Sequence, residues 1–142
     1  MSEAPAKLSA EQIQAAFDAS PFLGFLRLRV VALDHDAGTL TVSMPMRLEL
    51  ERRLGTGQFH GGPIAAFIDS VGDYAIGMAV GGGVPTINLR IDYLRPAVGS
   101  LLTGTARVRR AGRTVALVDV DVYDEQRALV AVGRGTYSGQ RG

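Results

Sequence analysis

"FHGGPIAAFIDSVGDYAIGMAV" runs from Phe59 to Val80, and the fold turns on how it is read. From Gly62 onward, Ile64, Phe67, Ile68, Val71, Ala75 and Met78 recur at helical spacing and fall on one apolar stripe. Pro63 suits a first helical turn, where a missing N–H loses no partner. Gly81, Gly82 and Gly83 then stop the pattern. The spacing predicts one long helix over residues 62–80, whose apolar stripe needs a cover.

A second stripe on the same helix holds small residues: Gly62, Ala65, Ala66, Asp69, Gly72 and Asp73. Asp69 and Asp73 sit one turn apart, so burial of both would raise the pKa of one. Small residues let another backbone or subunit come close. The plain alternative for Asp69 is a solvent-facing carboxylate, but Ala65, Ala66 and Gly72 make a poor solvated face.

Upstream, "LSAEQIQAAFDAS" reads as a short helix within an N-terminal helical segment, residues 1–20. Ser9 is its N-cap, Ile13, Ala16 and Phe17 share a face, and Pro21 ends it. "FLGFLRLRVVALD" and "GTLTVSMPM" read as two strands joined by the turn cluster "DHDAG". "RLELERRLGTGQ" has no steady period and reads as a loop with a short helical turn.

Downstream of the glycines every segment reads as strand. In "VPTINLRIDYLRP", Ile87, Leu89, Ile91 and Tyr93 alternate with Asn88, Arg90 and Asp92. Three more strands follow after short turns, which predicts a four-strand antiparallel meander over residues 84–138. The order is helix, two strands, long helix, four strands. An α+β fold follows, a curved antiparallel sheet wrapped around one central helix in a single domain of residues 1–142.

The composition agrees. The chain has 142 residues, 46% hydrophobic and 20% charged, with a net charge of +1. That is a globular composition long enough for a real core. The balanced charge gives no reason to expect nucleic acid or an anionic membrane as partner. No apolar run reaches the roughly 18 residues of a membrane span. "MSEAPAKLSAEQ" lacks the apolar core of a signal peptide, so a cytoplasmic location is expected.

Several chemistries lack their residues. Cysteine is absent, which removes disulfides, thiolate metal sites and cysteine nucleophiles. No G-x-S-x-G elbow, Walker lysine or complete G-x-G-x-x-G occurs. Two histidines do not suggest zinc, and no metal site is expected. His35 lies in a polar turn and reads as solvated. The arginines of the C-terminal half read as a solvated outer sheet face or as phosphate ligands.

Gly61 and Gly62 precede a helix, whose first turn carries unpaired N–H groups and partial positive charge. They could form an oxyanion hole, or simply a tight turn into the helix. Gly62 and Asp69 are seven residues apart. That is roughly 10 Å at about 1.5 Å per residue. An oxyanion donor and a base must both lie about 3 Å from the reacting group. One helix does not easily supply both. Two copies related by a two-fold axis would, giving a homodimer with two shared sites.

"FHGGPIAAFIDS", "TINLRIDYLRPA", "VRRAGRTVALVDVDVYDE" and "LVAVGRGTY" closely resemble hotdog-fold acyl-CoA thioesterases of the phenylacetate-degradation (PaaI-type) family. The similarity runs from about Phe22 to Tyr137. The resemblance implies that Asp69 is the catalytic carboxylate, acting as general base or nucleophile. It implies that the Gly61 N–H polarises the thioester carbonyl and that His60 orients the loop or contacts the thioester. Thr86 matches a Ser/Thr that positions the carboxylate or water. Many relatives carry Asn or Gln about six residues before the His. Here Leu54 and Gly55 stand there, and Gln58 is the nearest amide, at a different spacing.

The chemistry implied needs no cofactor, because CoA is part of the substrate and a thiolate leaves readily. Arg95, Arg110 and Arg113, at strand ends or turns, are candidates to hold the CoA phosphates. A homodimer or dimer of dimers (a homotetramer) is expected. Phe59, Phe67 and Tyr74 read as core residues that could instead line an acyl pocket. Two other functions stay open: a hotdog-fold hydratase or dehydratase, and a non-catalytic acyl-CoA binding module.

Overall fold

The structure, a computed structural model, describes residues 4–142. Residues 1–3 of the expected N-terminal segment lie outside it.

The first helix, α1, spans Ala10–Ala19. Ser9 caps it as expected. The Ser9 hydroxyl accepts from the Gln12 N–H at 3.2 Å, and the Gln12 side chain accepts from the Ser9 N–H at 2.8 Å. Ile13 and Phe17 are its buried face. Pro21 does not simply end this helix. It opens a second one, α2, over Pro21–Leu26. The expected first strand is therefore shorter, β1 at Arg29–Asp34. The Ser20 hydroxyl accepts from the Leu23 N–H at 3.3 Å, and proline fits the first turn. The run "FLGFL" is apolar on every side, so periodicity could not tell a strand from a short helix there.

β2 spans Thr39–Pro45, and a short 3₁₀ turn follows at Leu48–Leu50. The long helix, α3, spans Gly61–Val80, one residue earlier than the spacing suggests. Ile64, Phe67, Ile68, Val71, Ala75 and Met78 are all buried. Burying each of the larger ones contributes on the order of 2 kcal/mol. Gly81 ends α3 in the left-handed region at φ 93°, its N–H donating to the Gly77 carbonyl at 2.8 Å. By length and mean hydropathy, 1.2, α3 would pass for a membrane span, contrary to the expectation that no segment would. It is the core helix, packed against β2 through β6.

The remaining strands are β3 (Thr86–Tyr93), β4 (Leu101–Ala111), β5 (Val115–Tyr123) and β6 (Leu129–Ser138). They join β1 and β2 in one antiparallel sheet of order β1-β2-β4-β5-β6-β3. The expected four-strand meander is thus three strands, β4 to β6. β3 pairs with β6 alone and forms the far edge. Its link to β4 returns past the start of α3, where the Phe59 N–H donates to the Ala97 carbonyl at 2.8 Å. The link is too long for a tight hairpin and free to cross.

The outer face of the sheet carries the expected solvated arginines. Arg134 holds Asp119 with two contacts of 2.6 and 2.9 Å, and Arg109 lies 3.6 Å from the same carboxylate. The two bonds from Arg134 depress the pKa of Asp119. His35 is only partly solvated: its Nε2 lies 2.9 Å from the Leu8 carbonyl and ties the N-terminal segment to the first hairpin.

Candidate active site

Asp69 lies two turns into α3 and is half-buried. Thr86, at the start of β3, donates its hydroxyl to Asp69 Oδ1 at 2.8 Å. Oδ2 has no hydrogen-bond partner among the described residues. From beneath, Tyr137 of β6 donates its hydroxyl to the Asp69 carbonyl at 3.1 Å. That reach depends on Gly72, where a Cβ would sit 2.3 Å from the Tyr137 oxygen. Part of the small-residue stripe is thus used inside the chain. Burial, and then the charges of Asp69 and Asp73, push the Tyr137 phenol far above its usual range, so it stays a neutral donor.

Asp73, one turn on, accepts from the Val84 N–H at 2.7 Å. Burial raises its pKa to about 6, against the lowering effect of that bond, and Asp69 adds to the rise. The expected coupling of the two carboxylates is present.

At the other end of α3, His60 is the N-cap. Its Nδ1 accepts from the Gly62 N–H at 3.3 Å, a role usually taken by a short polar side chain. The Gly61 N–H has no acceptor among the described residues. Tyr93, the last residue of β3, donates its hydroxyl to the Gly61 carbonyl at 2.8 Å and so fixes the first peptide of the helix. The sequence signal for Tyr93 was its place at the end of the strand in "YLRP". The partners of Tyr137 and Asp73 had no such signal.

Four of the expected residues thus form two groups, Asp69 with Thr86 and His60 with Gly61, at different positions along one helix. The three arginines do not gather. Arg95 lies just beyond Tyr93. Arg110 and Arg113 lie at the β4–β5 turn, at the opposite end of the sheet, since Ala111, Ala116, Tyr137 and Thr86 share one row. Leu54 is exposed in the loop before α3, and Gln58 pairs by backbone with Val98. Phe59 and Phe67 are buried core residues, and Tyr74 packs edge-on against Phe17.

Known proteins share this fold. The sequence pattern of the thioesterase superfamily matches residues 56–131, more than half of the chain. The acyl-coenzyme A thioesterase PaaI of Escherichia coli is 30% identical over 112 residues, 76% of either protein. Mouse acyl-coenzyme A thioesterase 13 is 32% identical over 95 residues, 64% of this chain and 67% of that protein. The structure of E. coli PaaI superposes with a TM-score of 0.79 at 25% identity, over 93% of this chain and 92% of that one. The chain therefore belongs to the thioesterase superfamily, as a hotdog-fold thioester hydrolase of the PaaI type.

Proposed function

We propose that the protein hydrolyses an acyl-CoA thioester to the free acid and CoA, in sites shared by two copies of the chain. The observation that carries this reading is the Asp69 carboxylate, held through Oδ1 by Thr86 with Oδ2 unpartnered. A carboxylate so oriented takes a proton from water as the water oxygen attacks the thioester carbonyl, or attacks that carbon itself to form an anhydride that water then hydrolyses. The negative charge then moves onto the carbonyl oxygen, where an unpaired backbone N–H is the fitting partner. Collapse breaks the C–S bond and expels a thiolate, which needs no strong acid. The chemistry asks for no cofactor beyond the CoA of the substrate, a substrate that suits a cytoplasmic enzyme.

Within one chain, Gly61 and Asp69 are about 12 Å apart along the helix. The edge strand supports a partner instead. β3 has one paired edge, and Ile87, Tyr93 and Leu94 are more than half exposed on or just beyond it. If two β3 strands paired antiparallel, the Tyr93 end of one would meet the Thr86 end of the other. Tyr93 holds Gly61, and Thr86 holds Asp69. The Gly61 N–H of one copy would then face the Asp69 of its neighbour, with Arg95 of the first copy at the same end as Arg110 and Arg113 of the neighbour. Pairing of such dimers would give the tetramer.

A panel of acyl-CoA esters, with a dye that traps the released thiol, tests the reading. Asp69→Asn should lower kcat by about a hundredfold or more, as loss of a positioned base does. Tight acyl-CoA binding without turnover by the wild type would instead make the protein a binding module. A monomer that stays active in sedimentation would refute the shared site.

A further inference from the structure

The link from α3 to β3 is Gly81, Gly82, Gly83, Val84 and Pro85. Three successive glycines restrict the backbone least of any residues. Yet just beyond them Thr86 must meet Asp69 at 2.8 Å. Something has to fix where the strand begins.

Asp73 does so by geometry. It lies four residues after Asp69 on the helix, about 6 Å along its axis. Val84 lies two residues before Thr86, about 6.6 Å along a strand. The two spacings match, and the helix and strand run in opposite senses. Asp69 therefore meets Thr86 while Asp73 meets the Val84 N–H at 2.7 Å. The neighbours reinforce Val84. Its side chain is buried, and Pro85 confines it to extended conformations. The Ser138 N–H donates to the Pro85 carbonyl at 2.9 Å from the β6 side. A half-buried acid that is uncomfortable when charged stands here beside the proposed reacting one.

We propose that Asp73 is a positioning residue, whose grip on the Val84 N–H sets the strand register that brings Thr86 to Asp69. This rests on the reading of Asp69 as the reacting carboxylate. Asp73 itself touches no reacting atom. Asparagine can keep the acceptor for Val84, whereas alanine removes it.

The test compares Asp73→Asn, Asp73→Ala, Thr86→Ala and the Asp73→Ala/Thr86→Ala double variant, with thermal unfolding as a check on folding. Asp73→Ala should lower kcat about tenfold or more at unchanged KM, as a small misplacement of catalytic groups does. Asp73→Asn should stay within about threefold of wild type. The double variant should be no worse than Thr86→Ala, because both act through one contact. Effects that multiply, an unimpaired Asp73→Ala, or an Asp73→Asn as damaged as the alanine variant would overturn the proposal. Hydrogen exchange at the Val84 amide gives a readout that needs no activity. It should quicken at least about tenfold in Asp73→Ala and not in Asp73→Asn, and an unmoved rate would overturn the clamp. If the wild type hydrolyses no thioester, the functional reading fails and the positioning role with it. The Val84 exchange rate still shows separately whether the clamp exists.

Discussion

Asp73 makes a pH-dependent contribution to stability. Its folded pKa, about 6, lies above the ordinary 3.8, chiefly through burial. A group raised in this way favours folding fully below about pH 4 and loses that contribution as pH rises through about 6. Asp69, Tyr74 and Tyr137 are the titratable groups coupled to it, and none of the three carries a positive charge. Asp73→Asn should therefore unfold at a higher temperature than wild type at pH 8, with a gain of up to a few kcal/mol. The gain should shrink on acidification and vanish near pH 4. Thermal unfolding across that range checks it, and a gain independent of pH would show that the charge is not the cause. At this scale the sequence showed the pair Asp69 and Asp73 through their helical spacing. It did not show which would have its pKa raised, because that depends on where Val84 and Pro85 close over the helix.

Between α3 and the sheet, the tightest meeting is at Gly72 and Tyr137. A Cβ at position 72 would stand 2.3 Å from the phenol oxygen and 3.0 Å from the ring carbon that bears it. Gly72→Ala should destabilise by about 1–3 kcal/mol through overpacking. For a chain of this size that lowers Tm by several degrees. Tyr137→Phe removes the nearest atom, so Gly72→Ala/Tyr137→Phe should be more stable than Gly72→Ala alone. Calorimetry of the four variants tests this, and strictly additive losses would refute it. The long helix was legible because its stripe of six apolar positions repeats for about four turns and ends in glycines. Strand existence was legible too, through alternation. Strand neighbours were not, since alternation names the faces of a strand and not its partner. Hence β3 read as part of a meander although it sits at the far edge. The contacts made by Tyr93 and Tyr137 were hidden for the same reason, while His60, Gly61, Asp69 and Thr86 stood out through local spacing and the family pattern.

At the scale of the whole molecule, each chain holds the two halves of the proposed site, and its own helix keeps them apart. The Gly61 N–H opens α3, and the Asp69 carboxylate sits two turns later. If two copies share sites, each site takes its Asp69 from one chain and its Gly61 from the other. Two inactive variants should then rescue each other. Asp69→Ala removes the proposed base. Gly61→Pro removes the N–H at the first helical position, where proline is tolerated and where His60 is already extended at ψ 153°. Position 61 has room, because the nearest atoms to an added Cβ are those of the Tyr93 side chain, at an ordinary contact distance of 3.5 Å. In a mixed dimer one site inherits both defects and the other neither. Random reassociation of equal amounts makes half the dimers mixed. The mixture should therefore regain about a quarter of wild-type activity from two nearly dead parents. The measurement is thiol release after joint unfolding and refolding, against each variant refolded alone. Recovery tells a shared site from a site built within one chain, because in the latter case every molecule in the mixture keeps its own defect and no activity returns.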